Sequence, residues 1–220
     1  MDSSFWHEKW QTGDIGFHQR EANPLLVAHL GRLHLQQGSR VFLPLCGKSR
    51  DLAWLLKSGF RVVGAELSET AIIQLFAELG LSPQITKLGL LRHYSADNID
   101  ILVGDIFDVT EEYLSPVDAV YDRAALVALP AGMRRRYARH LMNITLAAPQ
   151  LLITYEYVQS EFAGPPFSVD AEEVKAHYGT VYRVMPVARE TVDGGLKGQV
   201  HAHQAGWLLI TTGTAEVSPC

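Results

Sequence analysis

The chain has 220 residues, 47% hydrophobic and 20% charged, which suits one domain with a sizeable core and excludes a disordered protein. A formal net charge of -5 removes the basic surplus that drives binding to nucleic acid or to anionic membranes, so a small-molecule partner is expected. Two cysteines, Cys46 and Cys220, form no metal or disulfide framework, and neither a leader-like start nor a membrane-length apolar run is visible; a monomeric, cytoplasmic protein is expected.

Aromatic residues concentrate in the first segment, from Phe5-Trp6-His7-Glu8-Lys9-Trp10 to Phe17-His18, before any strand signal. From Arg40 the chain alternates strand and helix patterns. Val41-Phe42-Leu43-Pro44-Leu45 reads as a strand, Cys46-Gly47-Lys48-Ser49 as a turn, and Asp51 to Lys57 as a helix closed by Ser58-Gly59. Arg61 to Glu66 is a second strand that ends in an acid, Ser68 a cap, and Glu69 to Leu79 a helix. A polar insertion leads to the strand Ile101-Leu102-Val103 and then Gly104-Asp105. Val117 to Asp122, Met133 to Leu146 and Leu151 to Glu156 supply a strand, a helix and a strand. Beyond the loop Gly164-Pro165-Pro166-Phe167, a helix near Ala171 to His177 and extended runs at Val181 to Val187 and Trp207 to Thr211 suit an antiparallel edge. The expectation is one Rossmann-like α/β domain over 1–220, with a segment 1–39 ahead of a core 40–212 and a loose tail 213–220.

In such a sheet a ligand binds beyond the carboxyl ends of the strands. Leu45-Cys46-Gly47 supplies a loop that lets backbone approach a ligand, or a plain turn. Glu66, nineteen residues after Gly47, stands where an acid accepts both hydrogens of a ribose diol, or is a solvated acid. Asp105 and Ile106 stand where adenine is read and packed, unless Asp105 caps a turn. Arg123 is either a substrate-side cation or half of a structural salt bridge. Gly47-Lys48-Ser49 resembles the end of a P-loop, but Phe42 occupies the position of its first glycine, and L-C-G-K-S-R lacks the dinucleotide glycines. An adenosine cofactor without phosphates, S-adenosylmethionine, fits best.

Trp6-His7-Glu8-Lys9-Trp10, Gly16-Phe17-His18, Pro44-Leu45-Cys46-Gly47-Lys48-Ser49, Val63 to Ser68, Asp122-Arg123-Ala124-Ala125-Leu126-Val127-Ala128-Leu129 and Gly164-Pro165-Pro166-Phe167 together resemble the thiopurine S-methyltransferase family, in its bacterial form. The resemblance implies a class I S-adenosylmethionine-dependent methyltransferase fold with a mostly parallel seven-stranded sheet, an antiparallel edge strand and an N-terminal helical cover. It implies cofactor contacts at Trp10, Leu45, Glu66, Asp105, Ile106 and Arg123, and substrate contacts at Phe17, Pro166 and Phe167. Arg123 would then be the catalytic residue, holding a thiolate electrostatically for a metal-free in-line methyl transfer to a thiol, selenium or tellurium acceptor, with S-adenosylhomocysteine as product. The second arginine of mammalian members has no counterpart in Asp193 to Gly198; Lys197, His201 and His203 are the basic residues there, read as loop. Competing readings are a halide or thiocyanate methyltransferase, a nicotinamide-dependent reductase and a non-catalytic S-adenosylmethionine-binding module.

Overall fold

A computed structural model describes residues 3–12 and 21–211. The tail 213–220 lies outside them. Strand β1 (Arg40–Pro44) pairs in parallel with β2 (Arg61–Glu66) on one side and with β6 (Ala119–Arg123) on the other. Outward from these, β5 (Ile99–Val103) extends the parallel set beside β2, and β7 (Gln150–Glu156) beside β6. The chain therefore leaves β1 first to one side and later to the other, and the carboxyl ends of β1, β2 and β6 flank the switch point where such sheets bind ligands.

Alternate residues of each strand serve opposite faces. Val41 and Leu43 belong to the apolar layer under α2 (Pro24–His29), α3 (Arg50–Lys57) and α4 (Glu69–Leu79), whereas Phe42 packs into the layer under α6 (Ala131–Ile144) and α7 (Ala171–Tyr178). The expected punctuation is present. Ser68 Oγ accepts the Ala71 amide at the start of α4, and Gly59, past the end of α3, has a φ of +83°. α1 (Ser3–Thr12) precedes this core and touches α4.

The sheet differs from expectation in two respects, having nine strands among the described residues rather than seven. The polar insertion folds as the hairpin β3 (Gln84–Leu88) and β4 (Leu91–Ala96), with β4 antiparallel to β5. Its outer strand is almost wholly exposed, so it carries no continuous apolar pattern. The antiparallel strand β9 (His203–Thr211) is not at the edge either, because β8 (Tyr182–Thr191) pairs along its outer side. Residues 192–202 make the turn between them, so the two join the sheet as a hairpin. Among the described residues no helix is long and apolar enough to cross a membrane.

Candidate active site

The loop after β1 turns sharply. Leu45 has a φ of +47° and Gly47 of +51°, and the Cys46 amide reaches back to the Ala65 carbonyl of β2 at 3.0 Å. Trp10 of α1, 5% exposed, lies against this loop so closely that a Cβ on Gly47 would sit 2.9 Å from its ring. Gly47 is therefore required twice, for its backbone angle and for the approach of the indole.

Glu66 ends β2 beside the same loop and is buried at 6% exposure. Its Oε2 accepts the Gly47 amide at 2.8 Å and its Oε1 the Ser68 amide at 2.8 Å. Burial pushes its pKa up, against the pull of those amides. The Leu67 amide also faces the carboxylate, so three amides draw on its four acceptor directions and it keeps acceptor capacity for a ligand hydroxyl. The solvated-acid alternative does not hold for a side chain this enclosed.

Past β5, Asp105 is exposed and caps a short 3-10 turn (Ile106–Asp108) by accepting the Phe107 amide at 3.0 Å. The turn role read from the sequence is thus realised. Ile106 is buried, and its carbonyl meets His140 Nε2 of α6 at 2.8 Å. The adjacent Phe107 ring lies beneath the Arg136 guanidinium, 3.7 Å from its centroid.

Arg123, at the end of β6, forms a buried ion pair in which an Nη meets Asp51 Oδ2 at 3.2 Å, with side-chain exposures of 8% and 2%. Its Nε is buried and has no hydrogen-bond partner among the described residues. The neighbouring Asp122 is not its partner: it points to the other face, accepting the Tyr137 hydroxyl at 2.8 Å and the Leu126 amide at 3.1 Å. Burial raises the Asp122 pKa to about 6.

On the far side of the edge, the Phe167 amide donates to the Val127 carbonyl at 2.7 Å and the Pro166 carbonyl accepts the Tyr157 hydroxyl at 2.7 Å. Lys197, read from sequence as loop, reaches this segment and donates to the Pro165 carbonyl at 3.0 Å. The His201 and His203 rings meet edge to face, 5.0 Å between centres. Phe17 lies outside the described residues. Sequence reasoning missed Asp51 and Asn23 as members of the site; the Asn23 amide donates to Asp51 Oδ1 at 2.7 Å across 28 residues of chain. Asn23 also caps α2, its side chain accepting the Leu25 amide at 2.9 Å, and that local role does not announce the Asp51 contact.

The loop and the buried acid fit an adenosine ligand: a carboxylate acceptor stands at Glu66, backbone approaches closely at Gly47, and a buried donor at Arg123 lacks an acceptor among the described residues. Among the described residues no three His, Cys, Asp or Glu side chains gather as a metal ion would need. Cys46 is an encased free thiol whose pKa is pushed well up by burial, which makes it a poor nucleophile.

Comparison with known proteins agrees with this geometry. Among solved structures, the fold resembles the 1,6-didemethyltoxoflavin-N1-methyltransferase of Burkholderia thailandensis, determined with S-adenosylhomocysteine, at a TM-score of 0.64 and 15% identity over 94% of this chain and 87% of that one. It also resembles an S-adenosylmethionine-dependent methyltransferase from Anabaena variabilis, at a TM-score of 0.63 and 13% identity over 94% of each chain. At these identities the likeness speaks for the fold, a class I methyltransferase. In sequence, the chain is 55% identical to a thiopurine S-methyltransferase of Xanthobacter autotrophicus over 95% of its own length and 99% of that protein's. It is 47% identical to one from Gluconobacter oxydans over 92% of each. A family model described as Thiopurine S-methyltransferase (TPMT) matches residues 1–210, and the chain belongs to that family.

Proposed function

We propose that the chain is an S-adenosylmethionine-dependent S-methyltransferase for aromatic and heterocyclic thiols, thiopurines being the acceptor class named for its relatives. The observation that carries this reading is the buried Glu66 carboxylate fastened to the Gly47 loop under Trp10, with the unmet Nε–H of Arg123 on the other side of β1. S-adenosylmethionine, when bound, supplies an electrophilic methyl group on a sulfonium.

The protein's own part is to hold and enclose. Glu66 accepts the ribose hydroxyls, Leu45 and Trp10 close the loop over the ligand, and Asp105 and Ile106 flank the adenine. Arg123 donates from the floor of the site to the methionyl end of the ligand or to the acceptor sulfur. Phe167 and Pro166, with Phe17, cover the acceptor and keep water from competing with it. No base is needed where the acceptor is already acidic, because a thiol of low pKa arrives as thiolate. Selenium and tellurium acceptors fall within the same chemistry. A small-molecule acceptor agrees with the net charge of -5, a reducing cytoplasmic setting with the free Cys46 thiol, and a monomer is the state we assign.

The test is calorimetric titration with S-adenosylhomocysteine, NAD and ATP, followed by methyl transfer from labelled S-adenosylmethionine to a panel of aromatic thiols. Micromolar binding of S-adenosylhomocysteine with turnover of a thiol is expected. Binding of NAD in its place would overturn the reading, and binding without turnover of any acceptor would leave a cofactor-binding module.

A further inference from the structure

Asp51 stands at the second position of α3 and is 1% exposed. Its two oxygens collect three residues, one ahead of α2 and two on β6. Oδ1 accepts the Asn23 amide at 2.7 Å, while Oδ2 accepts the Tyr121 hydroxyl at 3.1 Å and an Nη of Arg123 at 3.2 Å. The polar layer continues sideways, since Asn23 Nδ2 donates to Gln204 at 3.4 Å and Gln204 donates to the Tyr155 hydroxyl at 3.1 Å.

A carboxylate held by two neutral donors and one guanidinium cannot turn away from Arg123 without leaving buried groups unmet. The arginine is correspondingly fixed. Both partners are nearly inaccessible, so water screens the pair little, and from a ligand's distance it acts as a dipole instead of a free cation. The Nε–H remains as a directional donor with no acceptor among the described residues.

We propose that Asp51 is a positioning and specificity-determining residue: by balancing the charge of Arg123 and fixing its guanidinium, it makes the pocket favour thiols with an uncharged ring over those carrying a further anionic group. The proposal rests on the functional reading above. An added carboxylate on the acceptor would meet the negative end of the pair as well as the positive one, and would lose its hydration for little return.

The experiment compares benzenethiol with its ring-carboxylated analogue, as kcat/KM in the native enzyme and in Asp51→Asn, with S-adenosylhomocysteine affinity measured in parallel. The native enzyme should prefer the uncharged ring. Asp51→Asn should swing the ratio toward the carboxylated thiol by about tenfold, the scale of one unbalanced charge in a partly buried site. Equal proportional losses on both thiols would mean that Asp51 only supports the fold, and would overturn the proposal. Should the variant fail to fold, the salt dependence of the native enzyme decides. A flat response with preference for the uncharged ring supports the proposal, whereas preference for the carboxylated ring that falls steeply with salt reveals a free cation and overturns it. Native enzyme that binds S-adenosylhomocysteine but methylates neither thiol, nor any other acceptor, removes the functional reading and this proposal with it, an outcome distinct from a wrong preference.

Discussion

The Glu66 carboxylate lies 2.8 Å from the Gly47 amide, so the end of β2 is fastened to the loop after β1 at the point where the two strands present a ligand site. The same group is thus a brace for the loop and the ribose acceptor proposed for it.

Replacing Glu66 with Gln puts an amide NH2 where a backbone N–H group now donates. S-adenosylhomocysteine affinity should fall by about 1–3 kcal/mol, the range for a buried polar contact left unmet. Calorimetry measures it. Because burial raises the Glu66 pKa, affinity in the native protein should also begin to decline on acidification before an ordinary carboxylate would protonate. An unchanged dissociation constant in the variant would show that Glu66 serves the loops alone.

Gly47→Ala adds a methyl 2.9 Å from the Trp10 ring at a φ of +51°. The indole has to shift or the loop has to open, and a left-handed alanine costs about 1 kcal/mol in addition. Weaker S-adenosylhomocysteine binding, by about tenfold, should accompany an altered tryptophan emission spectrum. Native emission and native affinity together would refute the close packing of Trp10 on the loop.

Asp122 titrates near 6 in the folded protein because it is buried, against about 3.9 for an unfolded aspartate. The folded state therefore binds this proton more tightly than the unfolded state does. Its contribution to stability is fully present below about pH 4 and is lost as pH rises through 6, a change of about 3 kcal/mol at most. Asp122→Asn carries no proton, so its stability, measured by urea unfolding, should gain on the native protein between about pH 4 and pH 7. Parallel curves for the two proteins across that range would contradict the burial of an ionisable Asp122.

Arg134 forks Glu173 through Nε and an Nη at 2.5 and 3.0 Å, and its other Nη donates to the Leu129 carbonyl at 2.9 Å. The guanidinium also stands 5.8 Å from the centre of the Phe167 ring. Arg134→Met should destabilise the protein by about 3 kcal/mol, since it leaves the Leu129 carbonyl without its donor and Glu173 with His177 alone. The KM for the thiol should rise more than kcat falls, because the change loosens the Phe167 cover and not the reacting centre. A lower melting temperature with an unaltered KM would separate Phe167 from substrate binding.

How much of this was legible depends on whether the signal is local. Glu66 could be found because strand, loop and acid follow one another within a fixed spacing, and the Ser68 cap because it lies three residues from the amide it accepts. Asp51 could not. It reads as the polar first turn of a helix, and its meaning comes from partners 28, 70 and 72 residues away. Arg123 reads from the sequence as either a substrate-side cation or half of a salt bridge, and the geometry supplies a salt bridge with one N–H to spare. The β3–β4 hairpin escaped notice for another reason: an exposed outer strand buries too little for its alternation to register, whereas β1 and β2, covered on both faces, announce themselves as apolar runs.

The position of β9 constrains how the molecule is built. β8 is made first but has no neighbour in the sheet other than β9, which follows it in the chain and comes to lie between it and β7. During synthesis, then, β8 waits without a berth while the edge of β7 stands open. The two strands must zip together before, or as, they dock. Until that hairpin arrives, Gln204 is missing from the carboxyl edge and Trp207 has not yet reached the Thr154 hydroxyl it holds at 2.9 Å. A nascent chain can therefore complete the ribose side of its site well before Gln204 joins the polar layer around Asn23 and Asp51.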